Sequence, residues 1–174
     1  MNLSLHRPAG RRLTGLPAAA LLCTLVACSA ADRAAGPAVP TPAPTGRQAE
    51  LCRALHGQLP ASVGGLKRRA TEPVSDFTAA WGDDPSITLR CGVPRPAMFN
   101  DPATDAAVID GVQWAPERLG DGGIRLTTPL RPVYIEVTLP KEVVGDGGDM
   151  SALIDLAAAV KRTVPSQDPD DARS

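Results

Sequence analysis

His56 is the one histidine beyond residue 6, so any Ser-His-Asp, Cys-His or zinc chemistry would have to pass through it. A hydrolase of that kind needs a nucleophile held beside the imidazole base. The chain has no Gly-x-Ser-x-Gly elbow to present one. A zinc site needs three or four nitrogen, sulfur or oxygen ligands at characteristic spacing, and no such set is visible. A lone helical histidine beside Arg53 and Gly57 reads as an exposed polar residue. Gly64-Gly65-Leu66-Lys67 lacks the spacing of a phosphate loop and the Ser or Thr that should follow the lysine. No catalytic, cofactor-binding or metal-binding residue is therefore assigned. The chain holds 19 acidic residues, so an envelope hydrolase working on cell-wall material through paired carboxylates is the alternative reading. Nothing in the sequence singles out the pair.

Binding chemistry has more to work with. Lys67-Arg68-Arg69 is the densest positive cluster of the chain after its leader. It reads either as a solvated loop or as an anion site for a wall-polymer phosphate or lipid headgroup, with Arg90 and Arg95 joining in. Trp81 and Trp114 fall at the ends of expected strands. Scarce aromatics in a small domain usually pack in its core, and the alternative is a ligand-stacking platform for carbohydrate.

Cysteine chemistry begins with the N-terminus. His6, Arg7, Arg11 and Arg12 precede an apolar run from Leu13 to Ala27. As a helix that run is about 22 Å long, short of a hydrocarbon core of about 30 Å, so it suits a signal peptide better than a span. It ends in Leu25-Val26-Ala27-Cys28, which resembles a bacterial lipobox whose cysteine becomes diacylated after cleavage. Cys23 follows bulky Leu22 and fits poorly. Residues 1–27 are thus expected to be a lipoprotein signal peptide, with Cys28 the lipidation site and two acyl chains sufficient for stable attachment. The alternative is ordinary cleavage and secretion. Residues 28–46 read as a Pro/Ala-rich tether that stays extended and solvated, with a reach on the order of 50 Å.

Residues 47–165 should form a single domain, and 166–174 an acidic disordered tail. Loss of the three leader arginines takes the net charge from −1 to about −4, which excludes the basic footprint of a nucleic-acid binder. Thr45 and Gln48 match a capping box, and Leu51, Cys52, Leu55 and Leu59 share one helical face that ends at Pro60. Strands are expected at 77–81 and 87–93, a short helix at 106–110, and a hairpin of 112–119 with 124–128. The clearest strand alternates Val133, Ile135, Val137 and Leu139 with Tyr134, Glu136 and Thr138. A final helix carries Leu153, Leu156, Ala157 and Val160. The fold class that follows is α+β: an antiparallel sheet of about five strands with an N-terminal and a C-terminal helix packed on one face. Cys52 and Cys91 share the inward phase of their helix and strand, and in an oxidising compartment they should form a disulfide.

The strings Cys52-Arg53-Ala54-Leu55, Lys67-Arg68-Arg69, Thr78-Ala79-Ala80-Trp81-Gly82-Asp83, Leu89-Arg90-Cys91-Gly92-Val93-Pro94 and Gly111-Val112-Gln113-Trp114 resemble the actinobacterial family called domain of unknown function 3515. The resemblance runs through most of the expected domain. It implies an exported or membrane-attached protein without an assigned activity, and it transfers no catalytic residue. Together these readings predict a lipoprotein on the outer face of the cytoplasmic membrane. Its expected role is that of a non-enzymatic binding or accessory domain of the cell envelope, needing no cofactor. The expected partners are the membrane, through the lipid anchor, and a cell-wall polymer or an envelope protein, with no nucleic acid.

Overall fold

The computed structural model describes residues 36–169. The expected leader, Cys28, the first part of the tether and the end of the acidic tail lie outside the described residues.

Helix α1 (Gly46–Gln58) is followed by strands β1 (Ser62–Val63), β2 (Leu66–Arg69), β3 (Thr78–Trp81) and β4 (Ile87–Cys91). Then come β5 (Ala107–Ile109), β6 (Val112–Arg118), β7 (Ile124–Thr127), β8 (Ile135–Leu139), the short α2 (Lys141–Val144) and α3 (Ile154–Thr163). The strands form one sheet in the order β1-β2-β3-β4-β8-β7-β6-β5, antiparallel at every pairing. The α+β class and the antiparallel sheet hold, but the sheet has eight strands, not about five.

The additional strands come from two tight hairpins. Gly64-Gly65 joins β1 to β2 with φ of 55° and 77°, and Asp110-Gly111 joins β5 to β6 with φ of 46° and 75°. Two consecutive left-handed residues match the right-handed twist of paired strands, so such dipeptides close hairpins. The helix expected at 106–110 is therefore β5: the Asp-Gly turn pairs Ile109 with Val112 and Ala107 with Trp114. Lys161 Nζ holds the turn by donating to Asp110 O at 2.7 Å and meeting its carboxylate at 3.1 Å.

Register separates the two sheet faces. Trp81 lies opposite Ile87, Ala79 opposite Leu89, Leu89 opposite Val137 and Val137 opposite Leu126, so these side chains share a face. They form one buried cluster with Leu51, Cys52 and Leu55 of α1 and with Leu156, Ala157 and Val160 of α3. The expected packing of both an N-terminal and a C-terminal helix on one face of the sheet needs correction. α3 contacts both β1 and β6, whereas α1 makes its main contact with α3. The Cys52–Cys91 disulfide pins α1 to β4, with Cα atoms 5.5 Å apart. The capping box also fails: Thr45 makes no side-chain cap, and Gln48 Nε2 donates instead to Pro132 O at 3.1 Å.

The described ends of the chain are docked. Val39 is 2% exposed. Its N–H donates to Glu72 O at 3.0 Å, and the Glu72 N–H returns to Pro37 O at 3.0 Å. Residues 36–45, read above as tether, are thus a strap along the domain; proline pre-sets their extended backbone, which lowers the entropy cost of docking. At the other end Gln167 N–H donates to Leu130 O at 2.7 Å and Gln113 Nε2 donates to the Asp168 carboxylate, so the start of the expected disordered tail is also held.

Candidate functional site

The positive residues are drawn to different partners. Lys67, Arg68 and Arg69 lie on β2, not in a loop, and strand alternation sends Arg68 to the opposite face from its neighbours. Arg68 sits across from Trp81. Its guanidinium donates to His56 O and Leu59 O at 3.2–3.4 Å, capping the C-terminal carbonyls of α1. Burial lowers its pKa from the usual arginine value. Arg69 pairs with Asp83 at 3.0 Å, and Arg90 Nε meets Glu136 Oε1 at 2.8 Å. Three of the five residues of the expected anion site are thus engaged within the domain, Arg68 by carbonyls and Arg69 and Arg90 by carboxylates.

Both tryptophans are 0% exposed, so neither offers a ring face to a ligand, and the stacking role is withdrawn. Trp81 Nε1 donates to Pro60 O at 3.0 Å. Trp114 Nε1 is buried without a hydrogen-bond partner among the described residues.

His56 lines a cleft of about 640 Å3 with Arg68, Thr71, Val74, Ser75 and Asp76. Burial first, and the Arg68 charge second, lower its pKa from 6.5, against an opposing pull from Asp76. Its Nδ1 stands 4.0 Å from the Asp76 carboxylate, too far for a hydrogen bond. Nearby hydroxyls have other engagements. Ser75 Oγ accepts from Phe77 N–H, while Thr71 and Thr78 bond each other at 2.7 Å. This arrangement aligns no base with a nucleophile. Two of the described carboxylates, Glu136 and Glu117, are bridged through Arg125, at 3.7 and 3.1 Å, which holds both as ion-paired anions.

A surface constellation forms instead around Arg95. Gly92 N–H donates to Tyr134 O at 2.9 Å, extending the β4–β8 ladder by one pair and bringing the segment after β4 beside Tyr134. Arg95 donates to the Tyr134 hydroxyl at 2.9 Å and to Phe99 O at 2.6 Å, and its guanidinium lies 5.7 Å from the Phe99 ring centre. The Phe99 and Tyr134 rings are 5.6 Å apart and tilted by 36°. Arg95 is exposed and both rings are half-buried.

Two concavities meet at this arginine and tyrosine. One, of about 450 Å3, runs to Pro44, Thr45 and Gln48. The other, of about 200 Å3, runs to Asp101, Thr104 and Leu130. Leu130 has φ of 48° and is 48% exposed on the rim. A leucine in the left-handed region is uncommon and strained. It is kept there by neighbours: its carbonyl accepts from Gln167, and Arg131 beside it donates to Val164 O. Gly92 lets the strap close one wall, since a Cβ there would stand 2.6 Å from the Pro44 ring atoms.

Of the candidate site residues read from sequence, Arg95 alone belongs to this groove. Phe99 and Tyr134 were missed as site residues. Tyr134 gave a signal, its phase opposite to the buried residues of the clearest strand. A family described as "Protein of unknown function (DUF3515)" matches residues 14–169. The chain belongs to that family. The match takes in every strand and helix described above, so the family's shared unit is the whole α+β domain. No curated protein and no solved structure matches the chain.

Proposed function

We propose that this member of the family is an extracytoplasmic lipoprotein, attached through Cys28 to the outer face of the membrane, that binds an anionic polymer of the cell wall. The observation that carries the binding role is the Arg95–Phe99–Tyr134 constellation. It combines an exposed guanidinium, two tilted aromatic rings and two adjoining concavities. Aromatic faces suit the apolar faces of sugar rings, and a guanidinium suits phosphate or carboxylate. The location draws support from Leu25-Val26-Ala27-Cys28 behind a basic, apolar leader, and from a disulfide-tied core of the kind found in oxidising compartments. The ion-paired state of Arg69, Arg90, Glu117 and Glu136 favours binding over carboxylate-driven hydrolysis.

Two measurements test the two halves. Metabolic labelling with a fatty-acid analogue should mark the wild type and not Cys28→Ser, and equal labelling of both would remove the lipidation assignment. Co-sedimentation with purified anionic wall polymer should weaken severalfold in Tyr134→Ala and Arg95→Ala. Unchanged retention in folded variants would remove the groove as the binding site. Recovery of an envelope protein at the groove by crosslinking, with no polymer retained, would replace the polymer by a protein partner.

A further inference from the structure

The strap changes how far the domain can stand from its anchor. Gly36 packs against Ala70, with an ideal Cβ only 1.5 Å from the Ala70 carbonyl oxygen. Pro37 and Val39 then bond to Glu72. The described chain therefore starts at the end of β2, with seven residues, 29–35, between Cys28 and Gly36. Eight Cα steps of at most about 3.5 Å limit that span to about 28 Å, well short of the reach of a solvated 28–46 tether. Confinement on such a leash gives a surface near the attachment point a high effective concentration at the bilayer, so weak contacts there become populated.

The surface at that point carries a suitable contact. Ala70 and Thr71, which border Gly36, line the same cleft as Val74. Val74 is 81% exposed, the most exposed of the large apolar residues described. The charges around it balance: Arg68 and Arg69 line the cleft with Asp76, and Glu72 lies two positions before Val74.

Building on the Cys28 anchor, we propose that the end of the domain formed by Gly36, Ala70 and Val74 is its membrane-facing surface, resting against the phospholipid headgroup layer. The opposite end, at the Gly145–Gly148 turn after β8 and α2, then points away from the membrane, while the Arg95–Tyr134 groove, between the end of β4 and the start of β8, lies toward the bilayer. β8 runs antiparallel to β4, which places that turn at the far end of the sheet. Because the local charges cancel, the contact is indifferent to headgroup charge.

The test uses the full lipidated chain in vesicles, with a spin label attached at Val74→Cys or, as control, at Asp146→Cys. Collision with a water-soluble relaxation agent should be severalfold lower at position 74 than at 146, in zwitterionic and anionic vesicles alike. Inserting a flexible Gly/Ser segment of about 20 residues between positions 35 and 36 should remove the difference without touching the fold. Equal accessibility at both positions, with lipid labelling intact, overturns the orientation and leaves the anchor standing. Protection at 146 instead of 74 overturns it as well. Protection at 74 that persists with the long insert refutes the leash argument. Absence of the lipid on the wild-type chain overturns both readings together.

Discussion

Replacing Cys52 and Cys91 together by alanine tests how α1 is held to the sheet. The bridge spans 39 positions of chain, and the chain-entropy relation for a loop of about that size gives close to 4 kcal/mol at 25 °C. Both residues are buried, at 0% and 1% exposure, so removing two sulfur atoms from the core adds a packing loss of about 1 kcal/mol. Against a total stability of about 5–15 kcal/mol for a domain of this kind, the change is large. With a urea slope of about 2 kcal/mol per molar, the midpoint of the double variant should fall by about 2.5 M. Urea unfolding of oxidised wild type, reduced wild type and the double variant supplies the comparison. Reduction alone should bring most of the shift, the variant adding only the packing loss. A shift below about 0.5 M would show that α3 contacts alone hold α1 in place. Alkylation of the denatured, unreduced protein gives an independent reading: uptake of reagent at Cys52 and Cys91 would refute the bridge itself.

Two further changes probe the charged interior. Glu136 is 8% exposed between Arg90 and Arg125, so Glu136→Ala strands two guanidinium groups and should cost about 2 kcal/mol by chemical denaturation, reduced from a fully buried pair because the arginines are partly solvated. A Glu136→Ala protein as stable as wild type would contradict that account. His56 binds its proton less readily in the folded state than in the unfolded one, because burial and Arg68 lower its pKa. Its contribution is therefore complete above about pH 6.5 and is lost as pH falls below that value toward the folded pKa. A His56→Gln variant should show a flatter stability profile across that window, and a profile parallel to wild type would show that the histidine is not the titrating group.

The sequence by itself determined the features that rest on local pattern. Alternation along 133–139 and the stripe at Leu156, Ala157 and Val160 identified a strand and a helix with buried faces, because periodicity follows from backbone geometry alone. The inward phase of Cys52 and Cys91 anticipated their pairing for the same reason. Gly64-Gly65 and Asp110-Gly111 are dipeptides that suit two-residue hairpin turns, yet Asp110 falls at the end of the short helix expected from sequence, and Gly64-Gly65 entered only as a candidate phosphate loop. The strands they join are only two to four residues long on one or both sides, too short for alternation to declare them.

Tertiary structure decided what the polar side chains do. Arg68 could have served an anion, but β2 lies beside the end of α1, whose unpaired carbonyls it satisfies. The Pro-rich strap contains one buried anchor, Val39, whose partner Glu72 lies 33 positions away; composition alone made the segment look solvated. Arg95, Phe99 and Tyr134 meet because β4 and β8 are neighbours, although the two strands are separated in sequence by three others. Adjacency of that kind arises from sheet order, set by how the whole chain buries its apolar face, and no local spacing encodes it.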